Sequence, residues 1–350
     1  MTSKLCACLL NVSEARNVHI IEKIAYAALE VNNKTSKQHC AAVLNVFSDY
    51  DYNRTVITIA ASISHIGQSV FAACEKAFDL IDLRQHEGVH PCLGSVDLVP
   101  IHPLSPDITL EECGKEAKDL AEKLSSKIPG TSFFLFGWSH QACRGLVQRR
   151  KDVRWFAGHK TLVGNSGIQD VGAKPGARYG LTGIGAHPYV MNCNVTIDTQ
   201  DLTLGKQIAQ SLRAVNPDGL PGVQSMAFLH EGRVEIACNV ASFSHECDQI
   251  KEICSHRSDE KNFSEVKDNC KTLGGHQLLP DQELCMFGQY KYVSPEVIEK
   301  KVKARAAIFG VETVGRALIG FTPAGAADVA KFALDNGIYD YWKTKSTRTM

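Results

Sequence analysis

Residues 40–61, CAAVLNVFSDYDYNRTVITIAA, contain two apolar runs separated by a short polar segment. The runs Cys40 to Phe47 and Val56 to Ala61 are rich in small and β-branched apolar residues, which predicts two buried strands. The segment Ser48 to Thr55 between them contains Asp, Asn and Ser, which are typical of turns. A helix pattern lies on each side of this strand pair, and this helix-strand-strand-helix order is what indicates the fold class.

The flanking sequence completes a repeating order of elements. Leu5 to Leu10 is an apolar run that predicts a strand, and Arg16 to Leu29 has apolar residues at helical spacing. After the strand pair, His65 to Ile81 predicts an amphipathic helix and Ser95 to Ile101 another strand. The order is therefore strand-helix-strand-strand-helix-strand, and the helix at 109–127 and the strand at 132–136 follow it.

The second half of the sequence repeats this order. The predicted strands lie at 189–197, 222–229, 234–240 and 314–321, and the predicted helices at 204–212, 295–309 and 324–334. Two βαββαβ units predict an α/β (α+β) fold of two ferredoxin-like subdomains, each a sheet covered by helices. The glycine-rich stretch at 155–185 joins them and is expected to be mostly loop. We therefore divide the chain into domains at 1–184 and 185–350.

The second domain contains a polar insertion near 242–289, which we expect to lie at the surface. Its potential metal ligands are His245, Cys247, Cys254, His256, Cys270 and His276. Their spacing lacks the short Cys-x2–4-Cys element of structural zinc sites, so we expect no metal there.

Charge and cysteine content limit the class of protein. The 350 residues contain 38 Lys and Arg against 38 Asp and Glu, which favours neither nucleic acid nor a membrane surface as a partner. No apolar stretch approaches the ~18–20 residues of a membrane span, and the first residues lack the long apolar region of a signal peptide. The 13 cysteines follow no scaffold-like spacing. We therefore expect reduced thiols and a cytoplasmic protein.

Residues 86–94, HEGVHPCLG, lie between a predicted helix and a predicted strand. Gly88 and Pro91 are incompatible with a regular helix, so His86 and His90 do not share the rigid face that a zinc site needs. An acid–base role is more plausible, because histidine exchanges protons near neutral pH. A structural role is the better interpretation for His86, whereas the residues alone leave both roles open for His90.

Two further segments contain candidate binding residues. In the turn of the strand pair, Asp49, Asn53 and Arg54 are either ordinary turn residues or part of a site, and Arg54 could reach a ligand carboxylate or hold a neighbouring acid. The glycine-rich segment contributes Gly172, Lys174, Gly176, Arg178, Tyr179 and Gly180. Its cations, ring and glycines suit a flat heterocycle with a carboxylate tail, although a hinge that contacts no ligand has the same composition.

Three of these segments together resemble the formiminotransferase family, the transferase part of formimidoyltransferase-cyclodeaminase. Residues 8–14, CLLNVSE, are similar to the family's C-V-P-N-F-S-E, and residues 49–56 resemble D-x-D-x-N-R-[ST]-V. Residues 86–94 resemble H-K-G-E-H-P-R-M-G. The likeness extends from Leu5 to about Leu334, and because the sequence ends at Met350 we expect no cyclodeaminase domain.

The resemblance implies two ferredoxin-like subdomains with a folate tunnel between them, usually in a homodimer. It implies transfer of a formimino (or formyl) group between N5 of tetrahydrofolate and glutamate or a related amine. The catalytic acid–base residue of the family maps onto His90. The glycine-rich segment falls where the family has its folate-contacting loop, and Arg54, Lys174 and Arg178 would be carboxylate partners.

The sequence departs from the family pattern around the second histidine. Glu87, Val89 and Cys92 replace Lys, Glu and Arg, Gln85 replaces an arginine, and Tyr52 replaces a polar residue that is often histidine. Changed charges beside a catalytic base alter its pKa and its affinity for anions. A catalytically impaired folate-binding protein is therefore the alternative to an active transferase.

Overall fold

The chain forms two compact units in the computed structural model. The first comprises residues 1–187 together with 325–350, and the second comprises residues 188–324. The structure describes residues 4–30, 39–155, 158, 160, 163–164, 167–243 and 284–344. Both units combine strands with helices, which confirms the predicted α+β class.

The first unit begins with the predicted order of elements. These are β1 (Leu5–Val12), α1 (Val18–Ala27), β2 (Ala41–Asp49), β3 (Arg54–Ser62), α2 (Ile63–Leu80) and β4 (Val96–Pro103). The four strands lie in the order β2-β3-β1-β4, and every neighbouring pair is antiparallel. The polar turn at residues 50–53 thus joins two adjacent strands, as the sequence predicts.

Five more elements extend this sheet. They are α3 (Leu110–Lys127), β5 (Ser132–Gly137), α4 (Leu146–Asp152), β6 (Val171–Gly172) and β7 (Thr182–Ala186). β7 lies between β4 and β5, parallel to both, and β6 forms the edge, so the full order is β2-β3-β1-β4-β7-β5-β6. Thr109 begins α3 with a capping box, in which its hydroxyl accepts from the Glu112 N–H and the Glu112 carboxylate accepts from the Thr109 N–H.

The seven-stranded sheet has two apolar faces, because side chains alternate along each strand. In β5, Phe133 and Leu135 belong to the main core with α1, α2 and α3. Phe134 and Phe136 point the other way, into a smaller cluster that contains Trp155. This second cluster lies beneath the loop that carries the two histidines, since Leu93 is one of its members.

The expectation that the glycine-rich stretch at 155–185 is mostly loop was wrong for β7. All five residues Thr182–Ala186 are buried in the middle of the sheet. A Cβ at Gly183 would lie 2.5 Å from the Phe134 ring, and one at Gly185 2.2 Å from the Phe136 carbonyl oxygen. The glycines therefore make room for bulky neighbours on β5 and do not interrupt the strand.

The second unit repeats the order of the first. Its elements are β8 (Met191–Ile197), α5 (Leu202–Leu212), β9 (Val223–His230), β10 (Arg233–Val240), β11 (Leu284–Phe287), β12 (Tyr290–Val293), α6 (Pro295–Ala307) and β13 (Thr313–Leu318). The sheet order β13-β8-β10-β9 is the arrangement of β4-β1-β3-β2, again with antiparallel neighbours. β11 and β12 form a separate hairpin.

The C-terminal segment differs from the predicted division at 184/185. Residues 325–350, which include most of helix α7 (Pro323–Asp335), group with the first unit. The Val43 N–H donates to the Tyr339 carbonyl at 2.8 Å, and the buried Trp342 ring makes an edge contact with Tyr26 at 5.2 Å. These contacts are distant in sequence, so local periodicity did not reveal them.

No helix within the described residues is long and apolar enough to cross a membrane. None of the ten cysteines that the structure describes is part of a disulfide.

Candidate active site

The histidine loop is held against the turn between β2 and β3. Helix α2 ends at Leu80, a short 3-10 turn follows at Leu83–Gln85, and the loop then runs to the start of β4. The Val89 N–H donates to the Asp51 carbonyl at 3.2 Å, and a Cβ at Gly88 would lie 2.3 Å from the Tyr52 carbonyl oxygen. Gly88 therefore permits a close backbone approach that brings the two segments together.

A buried ion pair joins β3 to β4 beneath this loop. Nη1 of Arg54 lies 2.5 Å from Oδ2 of Asp97, and both side chains are almost completely buried. The guanidinium also donates to Oδ1 of Asn11, at 3.2 Å from Nε and 2.9 Å from Nη2. The sequence left open whether Arg54 binds a ligand or holds a neighbouring acid, and in this structure it holds Asp97.

Asp97 also orders the end of the histidine loop. Its Oδ1 accepts from the Leu93 N–H at 2.7 Å and from the Gly94 N–H at 3.4 Å. Burial opposes ionisation of this carboxyl, but the Arg54 guanidinium and the Leu93 N–H outweigh it and lower the pKa of Asp97. A charged Asp97 therefore fixes the path of the chain just after Pro91.

Asn53 connects three segments at the same place. Its backbone is in the left-handed region, with φ +48°, which asparagine tolerates better than most residues. Its Oδ1 accepts from the Ala15 N–H at 2.9 Å, and its Nδ2 donates to the Glu87 carbonyl at 3.1 Å. Asp49 orders the start of the turn, because its Oδ1 accepts from the Tyr52 N–H at 2.9 Å.

His86 contacts backbone rather than open space. Its Nδ1 lies 3.1 Å from the Ser13 carbonyl oxygen and 3.4 Å from Nδ2 of Asn53. Burial lowers its pKa. These contacts attach the loop to the segment after β1, as a structural histidine would.

His90 is half-buried between two aromatic rings. The imidazole centroid lies 5.2 Å from that of Tyr52 and 5.7 Å from that of Trp155. Its Nδ1 lies 2.8 Å from the Pro91 carbonyl oxygen, which can only accept, so the neutral ring carries its proton on Nδ1. Nε2 then bears the lone pair that can accept a proton.

The charge state of His90 is set by its surroundings. Burial, followed by the cations Arg54 and Arg150, lowers the pKa of His90 to about 3, against the opposing effect of Asp97. The ring is therefore neutral at physiological pH. The Nε2 lone pair can take a proton from a reacting group, but a pKa this far below neutrality makes the imidazole a weak base and its imidazolium a strong acid.

Arg150 and Trp155 are site residues that sequence reasoning missed. Cζ of Arg150, on α4, lies 4.4 Å from the Trp155 ring centroid, a cation–π contact. Burial lowers the pKa of Arg150 to about 10. The segment Gln148-Arg149-Arg150-Lys151 has the composition of a solvated basic face, so only the fold indicates that Arg150 is different.

The glycine-rich segment is brought only partly to this site. Gly180 has φ +68°, and a Cβ there would lie 1.9 Å from the Leu93 carbonyl oxygen, so it packs directly on the end of the histidine loop. The Tyr179 ring instead packs edge-on against Phe78 at 5.5 Å, and the Arg178 guanidinium donates to the Asp79 carbonyl at 3.0 Å.

The remaining predicted members of this segment lie further along it. Gly172 is in the edge strand β6, with φ +90°, and Lys174 is exposed after it. Gly176 pairs with Gly180 in an isolated bridge.

The residues that depart from the family pattern have different positions. Gln85, Glu87 and Val89 are exposed on the outer side of the loop. Cys92 is buried, and burial raises the pKa of its thiol to about 12, so it is uncharged. The histidine and cysteine side chains of the insertion, from His245 to His276, lie outside the described residues.

Comparisons with known proteins agree with these motifs. A family model described as the formiminotransferase domain, N-terminal subdomain, matches residues 5–187. A formiminotransferase cyclodeaminase-like protein of Arabidopsis thaliana is 33% identical over 253 residues, covering 67% of this chain and 82% of the relative. Glutamate formimidoyltransferases of Thermoplasma acidophilum and Streptococcus pyogenes are 28% and 26% identical, covering 68% and 97% of this chain and 77% and 97% of the relatives. The chain belongs to the formiminotransferase family.

Proposed function

We propose that this chain is a folate-dependent transferase that moves a formimino or formyl group between N5 of tetrahydrofolate and glutamate or a related amine. The observation that carries the proposal is the state of His90 within the loop that resembles the family's catalytic segment. Its tautomer is fixed by the Pro91 carbonyl, and it is neutral and flanked by two aromatic rings.

The surroundings of His90 suit such a substrate. The buried rings of Tyr52 and Trp155 pack against the imidazole and hold it in place, and the positive charge of Arg150 suits an anionic substrate. Three of the five departures, Gln85, Glu87 and Val89, are exposed, which favours an active enzyme over the impaired alternative, whereas Tyr52 and Cys92 are buried.

The proposed reaction needs one group that both takes and returns a proton. The lone pair of the incoming amine forms a bond to the formimino carbon while the π pair of its C=N bond moves to the imino nitrogen, and the proton that the amine loses moves to Nε2 of His90. The C=N bond then re-forms as the bond from that carbon to N5 breaks with its electron pair remaining on N5, and the imidazolium gives its proton to N5. Such acid–base assistance is worth about 10²–10⁴-fold in rate.

A coupled assay with 5-formiminotetrahydrofolate and glutamate tests this proposal. We expect turnover by the parent and a loss of about 10²–10⁴-fold in kcat for His90→Gln, with an unchanged melting temperature. Turnover at background level, or equal kcat values for parent and variant, would contradict it.

Calorimetry with 5-formyltetrahydrofolate separates the two candidate functions. Tight binding without turnover would identify a folate-binding protein that has lost catalysis, and absence of binding would reject both functions. The ferredoxin-like description of each subdomain is supported by the strand orders β2-β3-β1-β4 and β9-β10-β8-β13. The folate tunnel, the homodimer and the cytoplasmic location stay predictions that rest on the resemblance and the sequence.

A further inference from the structure

Helix α4 carries two adjacent arginines whose surroundings differ completely. Arg149 is fully engaged inside the protein. Its Nη2 lies 2.6 Å from Oδ2 of Asp170, its Nη1 3.4 Å from Oδ2 of Asp152, and its Nε donates to the Leu135 carbonyl at 2.9 Å. These contacts fix α4 against β5, so the role of Arg149 is structural.

Arg150 has no such partner among the residues that the structure describes. Its contact there is the Trp155 ring, at 4.4 Å from Cζ to the centroid, and no carboxylate lies within ion-pair distance of it. Arg150 is half-buried, and removing a guanidinium from water without a counter-ion costs free energy that an anionic ligand would recover. The same Trp155 ring contacts His90 at 5.7 Å, so the unpaired cation and the proposed base flank one ring.

The described residues near His90 carry more positive than negative charge. Arg54 and Arg150 oppose protonation of its imidazole, and Asp97 favours it. Asp97 is committed to Arg54 at 2.5 Å and to the Leu93 N–H at 2.7 Å. Among the described residues, Arg150 is therefore left without a carboxylate partner, and an anionic ligand would supply one.

We propose that Arg150 is a specificity-determining residue that binds the α-carboxylate of the acceptor amino acid. This inference rests on the proposed function and names how its second substrate is recognised. In an α-amino acid the carboxylate is attached to the carbon that bears the amine. An acceptor whose amine reaches His90 consequently holds its α-carboxylate close by, and Arg150, which shares the Trp155 ring with His90, is the cation that could receive it. The guanidinium fork matches a carboxylate with two parallel hydrogen bonds.

A carboxylate from the folate itself is the other source of the same chemistry. The glutamate tail of a folate is separated from N5 by the pteridine and benzoyl rings, so it is remote from a base that acts at N5. The acceptor therefore accounts better for a cation that shares a ring with His90.

Steady-state kinetics of Arg150→Gln, Arg150→Lys and the adjacent exposed control Lys151→Gln test the assignment. For Arg150→Gln we expect KM for glutamate to rise about 10- to 100-fold, the effect of losing a hydrogen-bonded charge pair, while KM for the folate changes less than about twofold. KM for glutamate of Arg150→Lys should lie between those of the parent and Arg150→Gln, because an ammonium keeps the charge but cannot form two parallel hydrogen bonds with a carboxylate. Lys151→Gln should match the parent.

The choice of acceptor identifies the carboxylate. 4-Aminobutyrate is glutamate without the α-carboxylate. In the parent, kcat/KM should be much lower for 4-aminobutyrate than for glutamate. In Arg150→Gln, the two acceptors should have nearly the same, low kcat/KM. If Arg150→Gln lowers kcat/KM by the same factor for glutamate and for 4-aminobutyrate, the assignment is overturned. A rise in KM confined to the folate, and abolished with tetrahydropteroate, would assign Arg150 to the folate tail and also overturn it.

Fluorescence keeps the inference testable if the protein has no transferase activity. Trp155 is one of three tryptophans, and Trp155→Phe identifies its share of the signal. We expect glutamate to change the Trp155 emission with a Kd that rises about 10- to 100-fold in Arg150→Gln and not in Lys151→Gln. No turnover with this binding pattern would reject the proposed function and retain the carboxylate site. Equal Kd values in the two variants, or no response of Trp155 in the parent, would overturn the site.

Discussion

The two units of this chain have the same order of elements and the same strand order, yet they differ in their connections. In the first unit, residues 50–53 join β2 to β3, and residues 81–95 join α2 to β4 and carry His86 and His90. In the second unit the matching connections are the two residues Glu231 and Gly232 and the short segment 308–312. The shared topology thus supplies a frame, while these two longer connections of the first unit supply the candidate chemistry.

One position shows this difference directly. Arg54 is the first residue of β3, and Arg233 is the first residue of the equivalent strand β10. The Arg54–Asp97 pair is buried, with side-chain exposures of 10% and 2%, whereas the Arg233–Asp198 pair is exposed, at 49% and 61%. The same residue type thus organises a site in one unit and lies at the surface in the other.

Removing the charge at this position should have very different effects in the two units. Arg54→Met leaves Asp97 buried without its partner and is expected to lower the free energy of unfolding by about 3–5 kcal/mol. Arg233→Met removes an exposed ion pair and should cost less than about 1 kcal/mol. Urea denaturation of both variants measures the difference, and equal losses would contradict the distinction between the units.

Two glycines at positive φ sharpen the same comparison. Gly180 lies against the Leu93 carbonyl of the histidine loop, whereas Gly232, with φ +74°, has open space around it. Gly232→Ala should lower the free energy of unfolding by about 1–2 kcal/mol, because alanine is strained in this left-handed backbone conformation. Gly180→Ala adds a collision with backbone and should cost more, which thermal or urea unfolding would measure. A cheaper substitution at Gly180 than at Gly232 would show that the loop is not packed on the glycine-rich segment.

The pH dependence of stability reports the burial of His90. Its pKa is about 3 in the folded chain and about 6.5 when unfolded, so only the unfolded state takes up a proton between these values. The contribution of His90 to the free energy of unfolding is fully present above pH 6.5. It falls as the pH drops towards 3, by up to about 1.4 kcal/mol per pH unit. His90→Gln should flatten this slope in urea unfolding measured from pH 6.5 to 4.5, whereas parallel curves for the parent and the variant would mean that His90 is not buried.

The smallest effect is expected at the exposed departures from the family pattern. Glu87→Lys and Val89→Glu introduce the residues that the family has there, on side chains that face solvent. Surface changes of this kind alter free energies by less than about 0.5 kcal/mol, so kcat/KM should change less than about threefold. A gain of tenfold or more would show that these residues act on the reaction and that the loop had lost function through them.

The sequence predicted most elements of both units because their apolar periodicity is local. Helix α2 and strands β2 and β3 follow directly from the spacing of apolar residues. Strand β7 was missed because Gly183 and Gly185 resemble a loop until the rings of Phe134 and Phe136 are in place. The return of residues 325–350 to the first unit was missed because it depends on long-range contacts such as that between Val43 and Tyr339.

The candidate site was predicted in part for the same reason. Motif order pointed to His90, Asn53 and Arg54, and the structure brings these three around one loop. Arg150 could not be found from sequence, because its neighbour Arg149 is the same residue type and only tertiary contacts distinguish a paired arginine from an unpaired one. The Arg178 and Tyr179 side chains contact Asp79 and Phe78 in the structure, contacts that composition alone could not reveal.

The central claim is that the loop of the first unit uses His90, and not His86, as the proton-transfer group. Single-turnover transfer from saturating 5-formiminotetrahydrofolate to glutamate, measured for His90→Gln and His86→Gln, tests it most directly. We expect a rate constant lower by about 10²–10⁴-fold for His90→Gln and a much smaller loss for His86→Gln at equal folded fraction. Equal rate constants for the two variants, or a greater loss for His86→Gln, would contradict it.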